Sequence, residues 1–468
     1  MKISFFGAAQ NVTGSKHVIE TKNFKLLLDC GLYQGRRDEA NKLNRNFLFD
    51  SKTISAVILS HAHADHCGLL PLLVKNGFRG NIYCTEETRD IARYILEDSA
   101  QIQEHDCRYI NQHLDSAREP LQPLYTLDDV QKVLPLFKVV EYFRHTKKWT
   151  KLNNDFRFKF YDAGHILGSA ITVIEVKDNG KIKNIAYSGD LGQSNVPILR
   201  EPEIITESVD VFLIEATYGD RVHSPIKNAS EKIINLVKKI IAQKGKIIVP
   251  AFSLGRTQEL VYLLHKLINE GKIPYLPIYV DSPLSNAISS VFKEHEENFD
   301  ENVWKDFGIH KESAFEFRDL HYVSTVDDSK KINYLNGPLI VVSASGMAEA
   351  GRVLHHLKNN IQNKNNAILI TGFQAENTLG RKIQNHESPV KIYDHFYKVL
   401  AEVVTVDELS AHADKNGLMK YLSLTKGVEK VFLVHTELSP AESFRDAIKL
   451  NHPGIDVQIP VLGQSYEI

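Results

Sequence analysis

The stretch Ala56-Val57-Ile58-Leu59-Ser60-His61-Ala62-His63-Ala64-Asp65-His66 joins an apolar run typical of a buried strand directly to a loop rich in metal-binding side chains. Three histidines and one aspartate lie within six residues of that loop. Alternate side chains diverge, so the four cannot all reach one tetrahedral ion. The loop therefore predicts two neighbouring metal ions, with His61 and His63 on one and Asp65 and His66 on the other.

Two ions need further ligands, and the chain offers three at the ends of predicted strands. These are His165 in DAGHILGSA, Asp190 in YSGDLG and His435 in FLVHTE. Taken singly, an aspartate after a glycine commonly caps a turn, and a histidine at a strand end is often only hydrogen-bonded. As companions of the histidine-rich loop they become candidate ligands. Asp190 is placed to bridge both ions, which would set them roughly 3.5–4 Å apart.

The pattern of apolar residues predicts an α/β protein in which two regions differ in their arrangement of strands and helices. Up to about residue 218, short strands separated by turns surround one long helix from Glu86 to about His113, with Thr85 as its N-cap. From there to about residue 391, buried apolar strands alternate with amphipathic helices, which indicates a doubly wound parallel sheet. Shorter elements return after that point, so the middle region looks inserted into the first domain.

Three segments of the middle region run from an apolar strand through a small-residue loop to a Gly-Arg pair and a helix. They are residues 247–264, 339–357 and 367–383. Ligands of open parallel sheets bind beyond the carboxyl ends of the strands, and the N-terminus of a helix attracts anions. We therefore expect Arg256, Arg352 and Arg381 to converge on backbone phosphates, with Ser345 and His355 nearby, although a single Gly-Arg pair alone would indicate only a solvated helix start.

The composition excludes several classes of protein. Among 468 residues, 43% are hydrophobic and 24% charged, as in ordinary globular domains, so disordered and coiled-coil classes are excluded. The net charge of −2 means that any binding of a polyanion must be local. Four cysteines without paired spacing indicate a reduced compartment, and no segment is typical of a signal peptide or a membrane helix. We expect a soluble cytoplasmic protein without a membrane partner.

Over nearly its full length the chain resembles the β-CASP branch of the metallo-β-lactamase superfamily, which contains RNA-processing nucleases of the RNase J and pre-mRNA 3′-end cleavage types. Besides the loop above, the resemblance rests on Asp29 in LLLDCG, Glu215 in IEATYG, His412 in LSAHAD and His435 in LVHTE. It implies a metallo-β-lactamase αββα sandwich with an inserted doubly wound β-CASP domain. The implied boundaries are 1–218 and 392–468 for the sandwich and 219–391 for the insertion.

Position by position, the resemblance implies that one zinc is held by His61, His63, His165 and Asp190, and the other by Asp65, His66, Asp190 and His435. Asp29 would orient ligands from behind. DNA-cutting members of the branch carry an apolar residue where His435 stands, which favours single-stranded RNA as substrate. A two-metal hydroxide mechanism would leave a 5′-phosphate and a 3′-hydroxyl, with His412 as general acid held by Glu215. Manganese in place of zinc, endonuclease or 5′–3′ exonuclease action, and a homodimer are left open.

Three other functions are weighed against this one. A small-molecule ester or thioester hydrolase would use the same metal loop but would not need a phosphate-directed insertion. A diiron redox protein is disfavoured, because related oxidoreductases place a carboxylate where this chain has Ala64. A non-catalytic RNA-binding scaffold would have lost metal ligands, whereas every expected position is filled. The chain departs from the family pattern at Ala350 and Thr436, where the family usually has glycine.

Overall fold

The structure is a computed structural model that describes residues 1–35, 37–113, 119–194, 196–307, 313–372, 374–406 and 408–468. The chain divides into two compact units. The first comprises Met1–Ser194, Glu201–Val222 and His412–Ile468, and the second comprises Asn195–Arg200 and His223–Ala411.

The first unit contains two mixed sheets, each built from segments distant in sequence. One sheet has the strand order β22-β1-β2-β3-β4-β5-β6, with β3 to β6 parallel. Its strands are β1 (Lys2–Phe5), β2 (His17–Glu20), β3 (Lys25–Leu28), β4 (Ala56–Ile58), β5 (Asn81–Cys84), β6 (Phe137–Val139) and β22 (Ser465–Glu467). The C-terminal strand β22 pairs with β1, so both ends of the chain lie in this sheet.

The other sheet has the order β21-β20-β11-β10-β9-β8-β7, in which β10, β11, β20 and β21 are parallel. Its strands are β7 (Thr150–Lys151), β8 (Phe156–Asp162), β9 (Ala170–Asp178), β10 (Lys181–Tyr187), β11 (Val211–Glu215), β20 (Lys430–Val434) and β21 (Asp456–Gln458). Alternate residues such as Ile58 of the first sheet and Phe158, Ile174 and Leu213 of the second form one core, so the sheets pack face to face.

Helices cover the outer faces of this sandwich. Leu418 of α14 and Phe444 of α15 pack on the outward side chains of β11 and β20, among them Phe212 and Leu433. On the other side, α4 contacts β6 and is itself contacted by α5. The helices of this unit are α1 (Arg37–Arg45), α2 (Ala64–Cys67), α3 (Leu70–Lys75), α4 (Glu86–Gln112), α5 (Leu127–Val133), α6 (Phe143–Thr146), α14 (Lys415–Leu424) and α15 (Leu438–Asn451). The predicted four-layer sandwich is confirmed.

The second unit is built on a parallel sheet of order β14-β13-β15-β12-β16-β19. Its strands are β12 (Lys246–Pro250), β13 (Ile278–Val280), β14 (Leu320–Tyr322), β15 (Leu339–Ser343), β16 (Ala367–Thr371) and β19 (Glu402–Val406), and β17 (Val390–Ile392) and β18 (His395–Tyr397) form a separate hairpin. Its helices are α7 (Ile226–Gln243), α8 (Arg256–Asn269), α9 (Pro283–Glu294), α10 (Glu301–Phe307), α11 (Val326–Ile332), α12 (Arg352–Asn360) and α13 (Leu379–Gln384).

Helices cover both faces of this parallel sheet, because its strands are apolar on both sides. Ile247 of β12 packs with α7 and α8 on one face, whereas its neighbour Ile248 packs with α12 and α13 on the other. The predicted doubly wound sheet is therefore confirmed. The compact unit extends to Ala411, because β19 continues the sheet by pairing with β16, and the boundary at 391 stays a prediction.

Candidate metal centre

The histidine-rich loop begins where β4 ends and continues into the short helix α2. His61 follows the strand, His63 is the N-cap of α2, and Asp65 and His66 lie within the helix. The backbone of this loop is held by the segment after β3, since the N–H of Cys30 donates to the carbonyl of His66 at 2.8 Å. Gly31 lies so close that a Cβ there would be 1.5 Å from the Asp65 carbonyl oxygen. The loop conformation therefore requires glycine at this position.

The other candidate ligands come from the second sheet. His165 lies in the loop between β8 and β9, Asp190 follows β10, and His435 follows β20. The strands of both sheets end beside one another, so residues separated by several hundred positions meet. In two groups, the candidate ligand atoms lie within 4.8 Å of one another: His61, His63, His165 and Asp190 in the first, and Asp65, His66 and His435 in the second. All seven predicted ligands are thus brought together.

Asp190 stands between the two groups and presents one carboxylate oxygen to each. Its Oδ2 lies 3.5 Å from Nε2 of both His61 and His165. Its Oδ1 lies 3.3 Å from Nε2 of His66 and 3.6 Å from Nδ1 of His435. The side chain is 2% exposed. Burial alone would raise the pKa of this carboxyl, but the surrounding imidazoles hold it well below its usual value, so it stays ionised.

The histidines of the first group turn their ring nitrogens toward one another, which is the arrangement expected of ligands to a cation. Nε2 of His61 lies 3.0 Å from Nδ1 of His63, and Nε2 of His165 lies 3.2 Å from that same atom. Burial lowers the pKa of His63 to about 4 and the pKa of His61 well below 6.5, so both rings are neutral at pH 7. Neutral imidazole is the form that binds a metal.

Buried polar atoms without hydrogen bonds give an independent test of whether the residues fit a metal. Nε2 of His66 and Oδ1 of Asp190 are buried and have no hydrogen-bond partner, although they lie 3.3 Å apart. Unpaired buried polar atoms cost free energy, so two of them at one point indicate a missing partner. A divalent cation in place of the Nε2 proton would satisfy both atoms at once, and imidazole with carboxylate is a ligand set that zinc accepts.

Asp29, at the end of β3, lies behind the cluster and fixes its orientation. Its carboxylate accepts hydrogen bonds from the Ser60 N–H at 2.7 Å, the Ser60 hydroxyl at 2.8 Å and Nδ1 of His66 at 2.6 Å. The hydroxyl of Tyr187 also donates to it, at 2.6 Å. Because Nδ1 of His66 is held by Asp29, Nε2 of the same ring faces the cluster. The sequence predicted a role for Asp29 but not for Tyr187 and Ser60, although both lie within the segments that carry Asp190 and His61.

His412 and Glu215 form a hydrogen-bonded pair that adjoins the cluster, since Nδ1 of His412 lies 4.0 Å from Oδ2 of Asp190. Nδ1 of His412 donates to the Glu215 carboxylate, at 3.0 Å from one oxygen and 3.2 Å from the other. Glu215 is fully buried at the end of β11 and also accepts from the N–H of Leu191 at 2.6 Å. Burial opposes the charged form of His412, but the Glu215 carboxylate outweighs it and raises the pKa of His412 to about 9. The ring, 21% exposed, therefore carries a proton at pH 7.

The five residues predicted to bind phosphate lie in the second unit, at or after the carboxyl ends of β12, β15 and β16. Arg256 is the first residue of α8 and pairs with the buried Glu259 at 2.6 Å, while its Nε has no hydrogen-bond partner. Arg352 begins α12, but its guanidinium binds the buried Asp281 at 2.7 Å. Ser345 accepts from the N–H groups of Glu349 and Ala350.

The expected equivalence of the three Gly-Arg pairs is wrong for the third. Gly255 and Gly351 are the N-caps of their helices, whereas α13 is capped by Thr378, whose hydroxyl accepts from the Arg381 N–H. Gly380 and Arg381 consequently lie inside the first turn of that helix. His355 is exposed on α12 and its ring lies 5.3 Å from that of Tyr393.

Comparison with protein families gives three matches along the chain. Residues 18–211 match a metallo-beta-lactamase superfamily domain, residues 257–383 a Beta-Casp domain, and residues 397–460 a Zn-dependent metallo-hydrolase RNA specificity domain. Within the described residues, no helix is long and apolar enough to cross a membrane.

Similar proteins are found along almost the whole chain. Ribonuclease TTHA0252 of Thermus thermophilus is 33% identical over 437 residues, which cover 93% of each chain. An RNase J-like protein of Methanocaldococcus jannaschii is 30% identical over 94% of each chain. The endoribonuclease YSH1 of Kluyveromyces lactis is 25% identical over 95% of this chain and 56% of its own.

A crystal structure of an Enterococcus faecalis protein of unknown function shares the fold, with a TM-score of 0.57, 13% identity and 99% coverage of both chains. The family matches, the two relatives at 30% identity or more and the clustered ligands agree with the expected resemblance. The chain belongs to the β-CASP branch of the metallo-β-lactamase superfamily of metal-dependent hydrolases.

Proposed function

We propose that the protein is a zinc-dependent ribonuclease that hydrolyses phosphodiester bonds of single-stranded RNA and leaves a 5′-phosphate and a 3′-hydroxyl. The observation that carries the proposal is the position of Asp190, with one oxygen toward each of two ligand groups at 3.3–3.6 Å. The ribonuclease names of the relatives and the RNA specificity domain support RNA as the substrate.

Two zinc ions fit the two ligand groups, with manganese as the alternative metal. His61, His63, His165 and Asp190 would hold one ion, and Asp65, His66, Asp190 and His435 the other. When bound, such a pair supplies a nucleophile near neutral pH by lowering the pKa of water from 15.7 to about 7. Asp29 keeps Nε2 of His66 aimed at the site, through the hydrogen bond that it accepts from Nδ1.

His412 is the proposed general acid. The departing 3′-oxygen of RNA is a poor leaving group unless it receives a proton. His412 carries one at pH 7, because the Glu215 carboxylate stabilises the charged ring, and its side chain remains partly exposed to a substrate. Since Nδ1 donates to Glu215, the proton transferred to the leaving oxygen is the one on Nε2.

Phosphate binding by the second unit is part of the proposal. Arg256 has the best support, since its buried guanidinium keeps a free Nε at the N-terminus of a 14-residue helix. That Nε is 3.6 Å from the point where a Cβ on Gly372 would lie. Arg352 would act less directly, because Asp281 already neutralises it. Arg381, Ser345 and His355 stay predictions, as do the homodimer and the cytoplasmic location.

The test is hydrolysis of one RNA labelled separately at its 5′ and 3′ ends, beside a DNA of the same sequence. We expect the zinc-loaded chain to cut RNA and Asp190→Ala to abolish the cleavage. Asp129→Asn, which changes a buried capping aspartate of α5, is the matched control and should keep it. Intact RNA after incubation with the metal-loaded chain, or full activity of Asp190→Ala, would overturn the proposal. Mononucleotides released from the 5′ label would indicate an exonuclease, and internal fragments an endonuclease.

A further inference from the structure

The hairpin of β17 and β18 in the second unit carries a surface that neither the metal centre nor the Gly-Arg loops use. On its inner face, Val390 and Ile392 are 2% and 1% exposed and anchor the hairpin in the core with α12 and α13. On its outer face, Lys391 lies directly across the ladder from Phe396. The Phe396 ring is 70% exposed, and Tyr393 in the turn is 47% exposed. Two large aromatic side chains therefore face solvent within four residues.

Three lysines, Lys358, Lys391 and Lys398, bring positive charge to the neighbourhood of these two rings. The ammonium of Lys358 lies 5.8 Å from the centroid of the Tyr393 ring, and the ring of His355 lies 5.3 Å from it. Lys391 and Lys398 are exposed. In the part of the chain that the structure describes, no ion pair joins Lys358, Lys391 or Lys398 to a carboxylate. Between residues 388 and 401, Asp394 is the single acidic residue of the sequence.

Exposed aromatic rings beside lysines without ion pairs favour some classes of binding partner over others. A second copy of the chain docking on the apolar rings would have to bury unpaired lysines, which is costly. A single-stranded nucleic acid offers a flat face for each ring and a phosphate for each lysine, and proteins that bind such strands combine aromatic platforms with a basic surround. The charge of the patch also explains how a chain of net charge −2 could bind a polyanion locally.

We propose that Phe396 and Tyr393 stack on bases of single-stranded RNA, while Lys358, Lys391 and Lys398 contact its phosphates. The choice of RNA rests on the proposed ribonuclease function. The surface adds a binding site for the strand outside the residues that hold the metal, and it takes bases of any identity, because stacking requires only an exposed aromatic face.

The experiment measures binding of the full-length chain to a fluorescein-labelled, unstructured 20-nucleotide RNA, with EDTA present to stop cleavage. We expect Phe396→Ala to weaken binding about tenfold, the loss typical of one stacked base. Phe396→Trp should keep the affinity, and its indole fluorescence should be quenched when RNA is added. Tyr275→Ala, which removes another exposed aromatic ring of the same unit at 56% exposure, is the control and should change nothing.

Three outcomes would overturn the proposal. The first is unchanged affinity of Phe396→Ala together with unquenched Phe396→Trp. The second is an equal loss of affinity for duplex RNA, whose bases are already stacked. The third is a change of mass in light scattering, which would assign the rings to a contact between copies. Because the assay needs no turnover, a chain that cuts no RNA but shows the tenfold loss would refute the ribonuclease and keep this surface.

Discussion

Tyr187 shows how far the metal centre extends beyond its ligands. Its hydroxyl donates to Asp29 at 2.6 Å and lies 3.0 Å from the hydroxyl of Ser15. Asp29 in turn receives the Nδ1 proton of His66. These contacts make the ring orientation of His66 dependent on a tyrosine that is not among the predicted ligands.

Replacing Tyr187 with phenylalanine removes one donor from Asp29 and leaves the packing of the ring in the sandwich core. We expect zinc affinity to fall by about 10- to 100-fold, as for other groups that orient metal-binding histidines. Competition with a chromogenic chelator measures this loss. Tyr142→Phe is the control, because its hydroxyl donates instead to the carbonyl of Ser169. An unchanged zinc affinity in Tyr187→Phe would show that Asp29 holds His66 without help.

His412 forms its hydrogen bond with Glu215, which is not a predicted metal ligand, so its role can be tested apart from metal binding. His412→Gln should lower kcat by roughly 100- to 10,000-fold, because the leaving oxygen loses its proton donor. The zinc content should stay at the wild-type level, which elemental analysis measures in the same samples. If zinc is lost together with activity, His412 belongs to the metal site and the proposed general acid is wrong.

His17, buried beside the cluster in β2, predicts a dependence of stability on pH. Burial, with the charges of His66, His435 and Lys16, lowers the pKa of His17 to about 3 from its usual 6.5. Between about pH 3 and pH 6.5, the His17 ring is therefore protonated in the unfolded chain and neutral in the folded chain. Its contribution to the free energy of unfolding is complete above about pH 6.5 and is lost as the pH falls toward 3.

Urea unfolding of the metal-free chain at pH 7 and pH 5 tests this linkage. Between these pH values His17 should remove about 2 kcal/mol from the free energy of unfolding. The variant His17→Leu should lose about that much less than the wild type over the same interval, whatever its stability at pH 7. Equal losses in both proteins would mean that His17 is protonated in the folded state.

The bounds of a helix could be predicted from the sequence where local signals, such as a capping residue and the spacing of apolar residues, agree. The long helix α4 begins after Thr85 and ends within one residue of the expected position, because its cap and its apolar spacing agree. The position of the third Gly-Arg pair relative to its helix was predicted wrongly. The N-cap of α13 is Thr378, whose hydroxyl accepts a hydrogen bond from the Arg381 N–H. The buried pairing of Arg352 with Asp281 was also missed, because Asp281 follows a different strand, β13.

Close contact between elements gives a sharper prediction at Gly31. The segment after β3 passes against the backbone of α2, where an added Cβ would meet the Asp65 carbonyl oxygen at 1.5 Å. Backbone cannot yield by that amount, so Gly31→Ala should displace the loop that carries Asp65 and His66. We expect loss of bound zinc in elemental analysis and a lower Tm. Gly454→Ala, where nothing lies within 4 Å, should match the wild type, and normal zinc content in Gly31→Ala would contradict this account.

For the whole chain, the four candidate ligands of the loop were predictable because histidines and aspartates at this spacing after a buried strand rarely occur together except at a metal site, whereas His165, Asp190 and His435 followed from the family resemblance. Their arrangement was not, since it depends on pairings such as β11 with β20, which join residues more than 200 positions apart. The exposed aromatic hairpin was overlooked for the opposite reason. Its sequence, from Lys391 to Lys398, mixes aromatic and charged residues without a regular alternation, and only the burial of Val390 and Ile392 shows which side faces out.

Two metal ions held by seven side chains of the first unit, on either side of Asp190, are the basis of the proposed function. Anomalous diffraction at the zinc absorption edge, from crystals of the zinc-loaded chain, tests this arrangement directly. We predict two peaks roughly 3.5–4 Å apart, one among His61, His63 and His165 and one among Asp65, His66 and His435. A single peak, or peaks away from Asp190, would contradict the account.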